Sequence, residues 1–207
     1  MRLVILWAGA LFVLAGMAAS SNLQAQQANL AVYGLVEKIQ GPYVRARNTD
    51  GLLVLFEPSG RIVSNQPITV NEIRAGQSVA FDTFDEGGEL VVTHVHTQDW
   101  LRAPGTFSTR PLRTNPDGTR HLGVITSVET IENGVRMAVT HEGGESSVVV
   151  DVLNTVPILY HNRVEEFDAI QPGALIMANV TPGEDGIYRS GFVTVEVEGV
   201  RPVRVPG

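Results

Sequence analysis

The feature that most narrows what this chain can become is the recurrence of short alternating apolar runs cut by turn residues. Ala31–Ile39 stops at Gly41-Pro42, Tyr43–Arg47 at Asn48–Gly51, Leu52–Phe56 at Pro58-Ser59-Gly60, and Gln77–Phe84 passes through Asp85–Gly88 into Glu89–Thr97. Successive side chains of a strand point to opposite faces, so a period of two gives each run one face to bury and one to leave outside. Strands of this length with Gly, Pro, Asn and Asp between them predict an antiparallel meander or small barrel. Helical periodicity is nearly absent. Short helices are expected only at Asn71–Ala75 and Val164–Ile170, each followed soon by a glycine that would end it.

The second half follows the same plan. His121–Ile131 meets Asn133-Gly134, a type I′ hairpin signal, and Val135–His141 meets Gly143-Gly144. Ser146–Val152 precedes Thr155–Tyr160, and Gly173–Val180 is joined through Pro182–Gly186 to Ile187–Val197. Set side by side, Tyr33-Gly34-Leu35-Val36 falls on Leu122-Gly123-Val124-Ile125, and Ile73-Arg74-Ala75-Gly76 on Ile170-Gln171-Pro172-Gly173. Phe84–Gly88 with its strand falls on Thr181–Gly186 with its strand. Three anchors in one order predict an internal duplication with one barrel per copy. The expected organisation is all-β: residues 1–25 a signal peptide, 29–98 a first barrel, 99–120 a linker, 121–199 a second barrel and 200–207 an extended tail.

The leader reading rests on Arg2, the uncharged run Leu3–Ala15 and the small, polar stretch Gly16–Gln27, in the order of a secretory signal peptide. A periplasmic or secreted protein with no membrane span after leader removal is expected. The chain holds no cysteine, which excludes a lipoprotein anchor, disulfides, thiolate metal sites and cysteine nucleophiles. Its net charge of −7 disfavours nucleic acid, whose binding depends largely on neutralised phosphates.

The recurring glycines and apolar positions carry a resemblance. Gly34-Leu35-Val36-Glu37-Lys38-Ile39 and Gly123-Val124-Ile125-Thr126-Ser127-Val128 open the halves. Glu72-Ile73-Arg74-Ala75-Gly76-Gln77-Ser78-Val79 and Phe167-Asp168-Ala169-Ile170-Gln171-Pro172-Gly173-Ala174-Leu175-Ile176 occupy their middles. This grammar resembles the uncharacterised periplasmic domains that occur as tandem OB-like barrels in secreted bacterial proteins. The resemblance implies a fold and is almost silent about activity. The secreted haem chaperone of cytochrome c maturation is similar in being an OB-like barrel with a histidine past its last strand. Here, however, His96-Thr97-Gln98-Asp99-Trp100 lacks the acidic and tyrosine partners of the attachment motif.

For chemistry, His94-x-His96 places two imidazoles on one face of a predicted strand, half of a metal site, with no third ligand nameable among His121, His141 and His161. The acids Asp82, Asp85 and Glu86, and Glu165, Glu166 and Asp168, lack the grammar of a calcium loop. No nucleophile elbow or Ser-x-x-Lys pair occurs, and Lys38 is the only lysine. Tyr33, Tyr43, Phe56, Phe81, Phe84 and Trp100 are core residues first and a stacking face for peptide or glycan second. The expected function is therefore non-catalytic binding or scaffolding in the bacterial cell envelope, with a protein or glycan partner and no cofactor. The alternative is a periplasmic transition-metal-binding protein that holds a divalent ion on His94 and His96.

Overall fold

The computed structural model describes residues 29–100, 109–111, 117–141 and 146–203. The expected signal peptide 1–25, most of the linker and the end of the tail lie outside the described residues.

The chain is all-β. The first half gives β1 (Leu30–Gln40), β2 (Tyr43–Asn48), β3 (Leu53–Pro67), β4 (Ser78–Glu86) and β5 (Glu89–Gln98). β6 (Thr109–Pro111) pairs with the start of β7 (Gly118–Ile131). Then come β8 (Gly134–Thr140), β9 (Ser147–Leu153), β10 (Ile158–Glu165), β11 (Leu175–Pro182) and β12 (Tyr188–Val195). The two expected helices shrink to single 3₁₀ turns, Val70–Glu72 and Phe167–Ala169. The first is entered through a capping box in which Glu72 accepts from the backbone N–H and the hydroxyl of Thr69.

The strands do not distribute as two consecutive barrels. β1, β2 and β3 pair in order, but the ring is closed by β11, antiparallel to β1, and β12, parallel to β3. Conversely, β4 of the first half pairs antiparallel with β7, and β5 lies parallel to β10. Each half thus lends its last two strands to the other, so the boundaries 29–98 and 121–199 delimit stretches of chain and not self-contained barrels. The physical reason is that a period of two fixes which face of a strand is buried and leaves its neighbour unspecified.

The exchange is reciprocal to the residue. Gly34 lies opposite Ile176, and its sequence counterpart Gly123 lies opposite Val79. The N–H of Gly173 donates to the carbonyl of Val36 at 2.8 Å, and that of Gly76 to Ile125 at 2.8 Å. Both opening strands carry an irregularity at the matching place, between Val36 and Lys38 and between Ile125 and Ser127. At Gly34 and Gly123 an added Cβ would run into the carbonyl oxygens of Arg47 and Thr140, so close strand approach demands glycine at both. The halves meet where β3 and β10 run antiparallel, with Asn65 Nδ2 donating to Asn162 Oδ1 at 2.8 Å in buried surroundings.

Two cores result, each built from both halves. Val32, Val36, Val44, Val54 and Phe56 pack with Ile170, Ile176, Val180, Val193 and Val195. Val70, Ile73, Val79, Phe81, Val92 and Val95 pack with Ile125, Val135, Met137, Val139, Val150 and Val152. The matching is incomplete at one seam. β3 is one long strand in which Gly60 packs directly on Gly191 and the residues from Ile62 onward pair with β10, whereas its counterpart is broken into β9 and β10 by the turn around Asn154. Hydrogen bonding therefore closes the first barrel through β12, while β9 ends its sheet.

Candidate functional site

The β4–β5 hairpin positions the histidine pair. Its turn is made by Gly87 and Gly88, both at positive φ, with Asp85 accepting the Gly88 N–H at 2.7 Å. Asp82 lies opposite His94, and the next pair is Thr83 with Val92, so Thr93 is an extra residue. That bulge lets Val92 and Val95 both reach the core while His94 and His96 share the other face. β7 sets Arg120 beside Asp82, and β10 sets Tyr160 beside His96.

His94 is 3% exposed, and its Nδ1 lies 3.3 Å from Asp82 Oδ2. Arg120 grips the same carboxylate with two bonds, Nε to Oδ1 at 2.7 Å and Nη2 to Oδ2 at 2.8 Å. Burial alone would raise the Asp82 pKa, but the hydrogen bonds from Arg120 and His94 hold it at about 2. An ionised carboxylate only accepts, so His94 Nδ1 carries the proton and Nε2 presents its lone pair. That Nε2 is buried and has no hydrogen-bond partner among the described residues. The His94 and His96 rings are 5.5 Å apart, and Tyr160 stacks on His96 at 5.2 Å. The expected shared face is thus present, with an aspartate, an arginine and a tyrosine that sequence spacing did not point to.

The other histidines fall into two further places. His121 stacks on Phe81 at 4.6 Å, bonds Thr83 Oγ1 through Nε2 at 3.0 Å, and has His141 5.7 Å away. Burial, then the neighbouring His141, push its pKa down to about 4. His161 Nδ1 bonds Thr97 Oγ1 at 2.9 Å, and its Nε2 faces Asp99 Oδ2 at 3.4 Å. This Thr97–His161–Asp99 chain borders a polar recess of about 450 Å³ with Glu72, Arg74 and Gln77. Thr97 is fully buried, so its hydroxyl is not presented to that recess.

The acidic groups have separate partners. Asp82 serves Arg120, Asp85 caps the hairpin turn, and Glu165 accepts from Ser64 and Arg163. Among the described residues, no three His, Asp or Glu side chains converge as a metal cluster, and no helix is long and apolar enough to cross a membrane. Of the aromatics, Phe56 and Phe81 are fully buried, whereas Tyr33 and Tyr43 are half-buried on the outer face.

A larger, mainly apolar cleft of about 600 Å³ opens on the first barrel between β1, β2 and the start of β11. Tyr33, Leu35 and Leu175 line it, with Arg47, Glu196 and Arg201 among its polar groups. Leu35 is 53% exposed, and Leu53 and Leu55 are exposed on the same side of the barrel. No family model matches the sequence, and no curated protein or solved structure is significantly similar to it.

Proposed function

We propose that this chain is a non-catalytic binding or scaffolding protein of the bacterial cell envelope, a duplicated pair of OB-like barrels joined by strand exchange. The secreted address is carried by the leader-like residues 1–25. The OB-like reading is supported by the ring order β1-β2-β3-β12-β11, with a 3₁₀ turn before its last two strands.

The observation that carries the binding role is the cleft at Tyr33, Leu35 and Leu175. A concave, mainly apolar site with a few charged groups at hand is the usual form of a recognition pocket. Its apolar lining favours a hydrophobic side chain of a protein segment, with Arg201 at hand for the segment's acids or backbone carbonyls and Arg47 already paired to Glu37. The buried Thr97 hydroxyl, held by His161, supports a non-catalytic reading of the one hydroxyl–imidazole–carboxylate chain noted above.

The test is selection of peptides from a displayed random library on the protein from residue 26 onward, followed by anisotropy with the selected peptides. Leu35→Glu should weaken binding at least tenfold, while Val149→Glu on the second barrel leaves it unchanged. Peptides insensitive to Leu35→Glu, or binding only to glycans on a parallel array, would overturn this assignment.

A further inference from the structure

Beyond partner binding at the cleft, we infer that His94 and His96 form a site for a single late divalent transition metal, oriented by Asp82. Three observations converge. First, the Asp82 carboxylate fixes the Nδ1–H tautomer of His94 and leaves Nε2 as a bare, buried donor with no hydrogen-bond partner among the described residues. A metal-binding imidazole characteristically gives its second N–H to a carboxylate, which orients the ring and raises the basicity of the ligating nitrogen. Asp82 is itself immobilised by Arg120, so the ring is held before any ion arrives.

Second, the two rings have the right separation. Imidazole nitrogens each about 2 Å from one ion have ring centres on the order of 5 Å apart, and these are 5.5 Å apart with their planes tilted by 48°. Third, a bare nitrogen lone pair in a site this buried is costly unless something binds it. Arg120 is already paired to Asp82, so the local charge does not oppose a cation, and the chain's net charge of −7 favours one.

The ion reaches the site from the side of His96, which is the more open of the two. Imidazole donors select late divalent ions, and the order of affinities places Cu²⁺ first, then Zn²⁺ and Ni²⁺. With two protein nitrogens, the remaining positions are filled by water. Asp82 is a positioning residue here, since its oxygens are occupied by Arg120 and His94.

The test is titration of the protein from residue 26 onward with Cu²⁺ alone, read by calorimetry and by electron paramagnetic resonance at pH 7.5. The expected result is one ion per chain with nitrogen hyperfine structure from two imidazoles. His94→Gln and His96→Gln should each abolish the two-nitrogen signal, and Asp82→Asn should weaken binding about tenfold to a hundredfold. His121→Gln, which alters the other adjacent histidine pair, should leave the signal intact. Circular dichroism of each metal-free variant establishes that it is folded before its titration is interpreted. No stoichiometric binding by the native chain, or a signal that survives the His94→Gln/His96→Gln double substitution, overturns the assignment. Leu35→Glu at the cleft leaves this signal unchanged, so the two readings fail separately.

Discussion

Replacing His121 by glutamine removes a group whose titration the fold resists, and the size of the effect follows from its surroundings. His121 is 7% exposed, stacked on Phe81 and adjacent to His141, and its pKa falls from the usual 6.5 to about 4. Above about pH 6.5 the imidazole is neutral in folded and unfolded chains alike, so it adds no pH dependence. Below that, the unfolded chain takes up the proton and the folded chain does not, so stability drains away until about pH 4. The difference between 6.5 and about 4, at about 1.4 kcal/mol per pH unit, amounts to about 3 kcal/mol. Urea unfolding of the native chain and of His121→Gln at half-unit intervals from pH 7.5 to 4 measures it. The substitution has its own cost at pH 7.5, because it disturbs the stack on Phe81 and the bond to Thr83. The difference between the two proteins should nevertheless shrink by about 3 kcal/mol on going to pH 4. Parallel curves over that range would refute the reasoning.

Three further outcomes are expected. Asp82→Asn should cost about 3 kcal/mol at neutral pH by leaving Arg120 without its buried anion, and should abolish the further loss of native stability between about pH 4 and 2, where the low pKa of Asp82 is titrated. Acid titration of unfolding checks both, and an unchanged acid limb would count against the pairing. Gly34→Ala and Gly123→Ala should each destabilise by several kcal/mol, since the new methyl meets a backbone carbonyl with no room to move; thermal unfolding with normal midpoints would contradict the close approach. Phe56→Ala and Phe81→Ala, one in each core, should each cost about 3–5 kcal/mol and still give one calorimetric transition, because each core draws strands from both halves. Two resolved transitions would show that the two cores unfold independently.

Most strand positions were legible in the sequence because alternation and turn residues coincide. β2 and the β4–β5 hairpin with its Asp85–Gly88 turn follow their expected spans to within two residues. β3 runs past its expected end: Pro58-Ser59-Gly60 has turn composition, yet the strand continues to Pro67, with Gly60 packed on Gly191 of a strand over a hundred residues away. The same non-locality hid most of the histidine site. That His94 and His96 share a face follows from their spacing once both lie past the Thr93 bulge, but Tyr160 arrives through a parallel pairing of β10 with β5, which no local pattern encodes. Nor does any local pattern say that β11 and β12 close the ring on β1 and β3, since their alternation would fit other neighbours equally well.

The reciprocal lending of strands also dictates a timetable. Residues 30–67 can form only three strands of their barrel until the chain has been delivered as far as Val195, and β4 and β5 must likewise wait for β7 to β10. Neither half can be completed while the other is still being made. Pairings of such long sequence separation fold slowly and leave hydrophobic edges open in the interval. A chain of this design acquires its native form in one late step, once nearly all of it has been made.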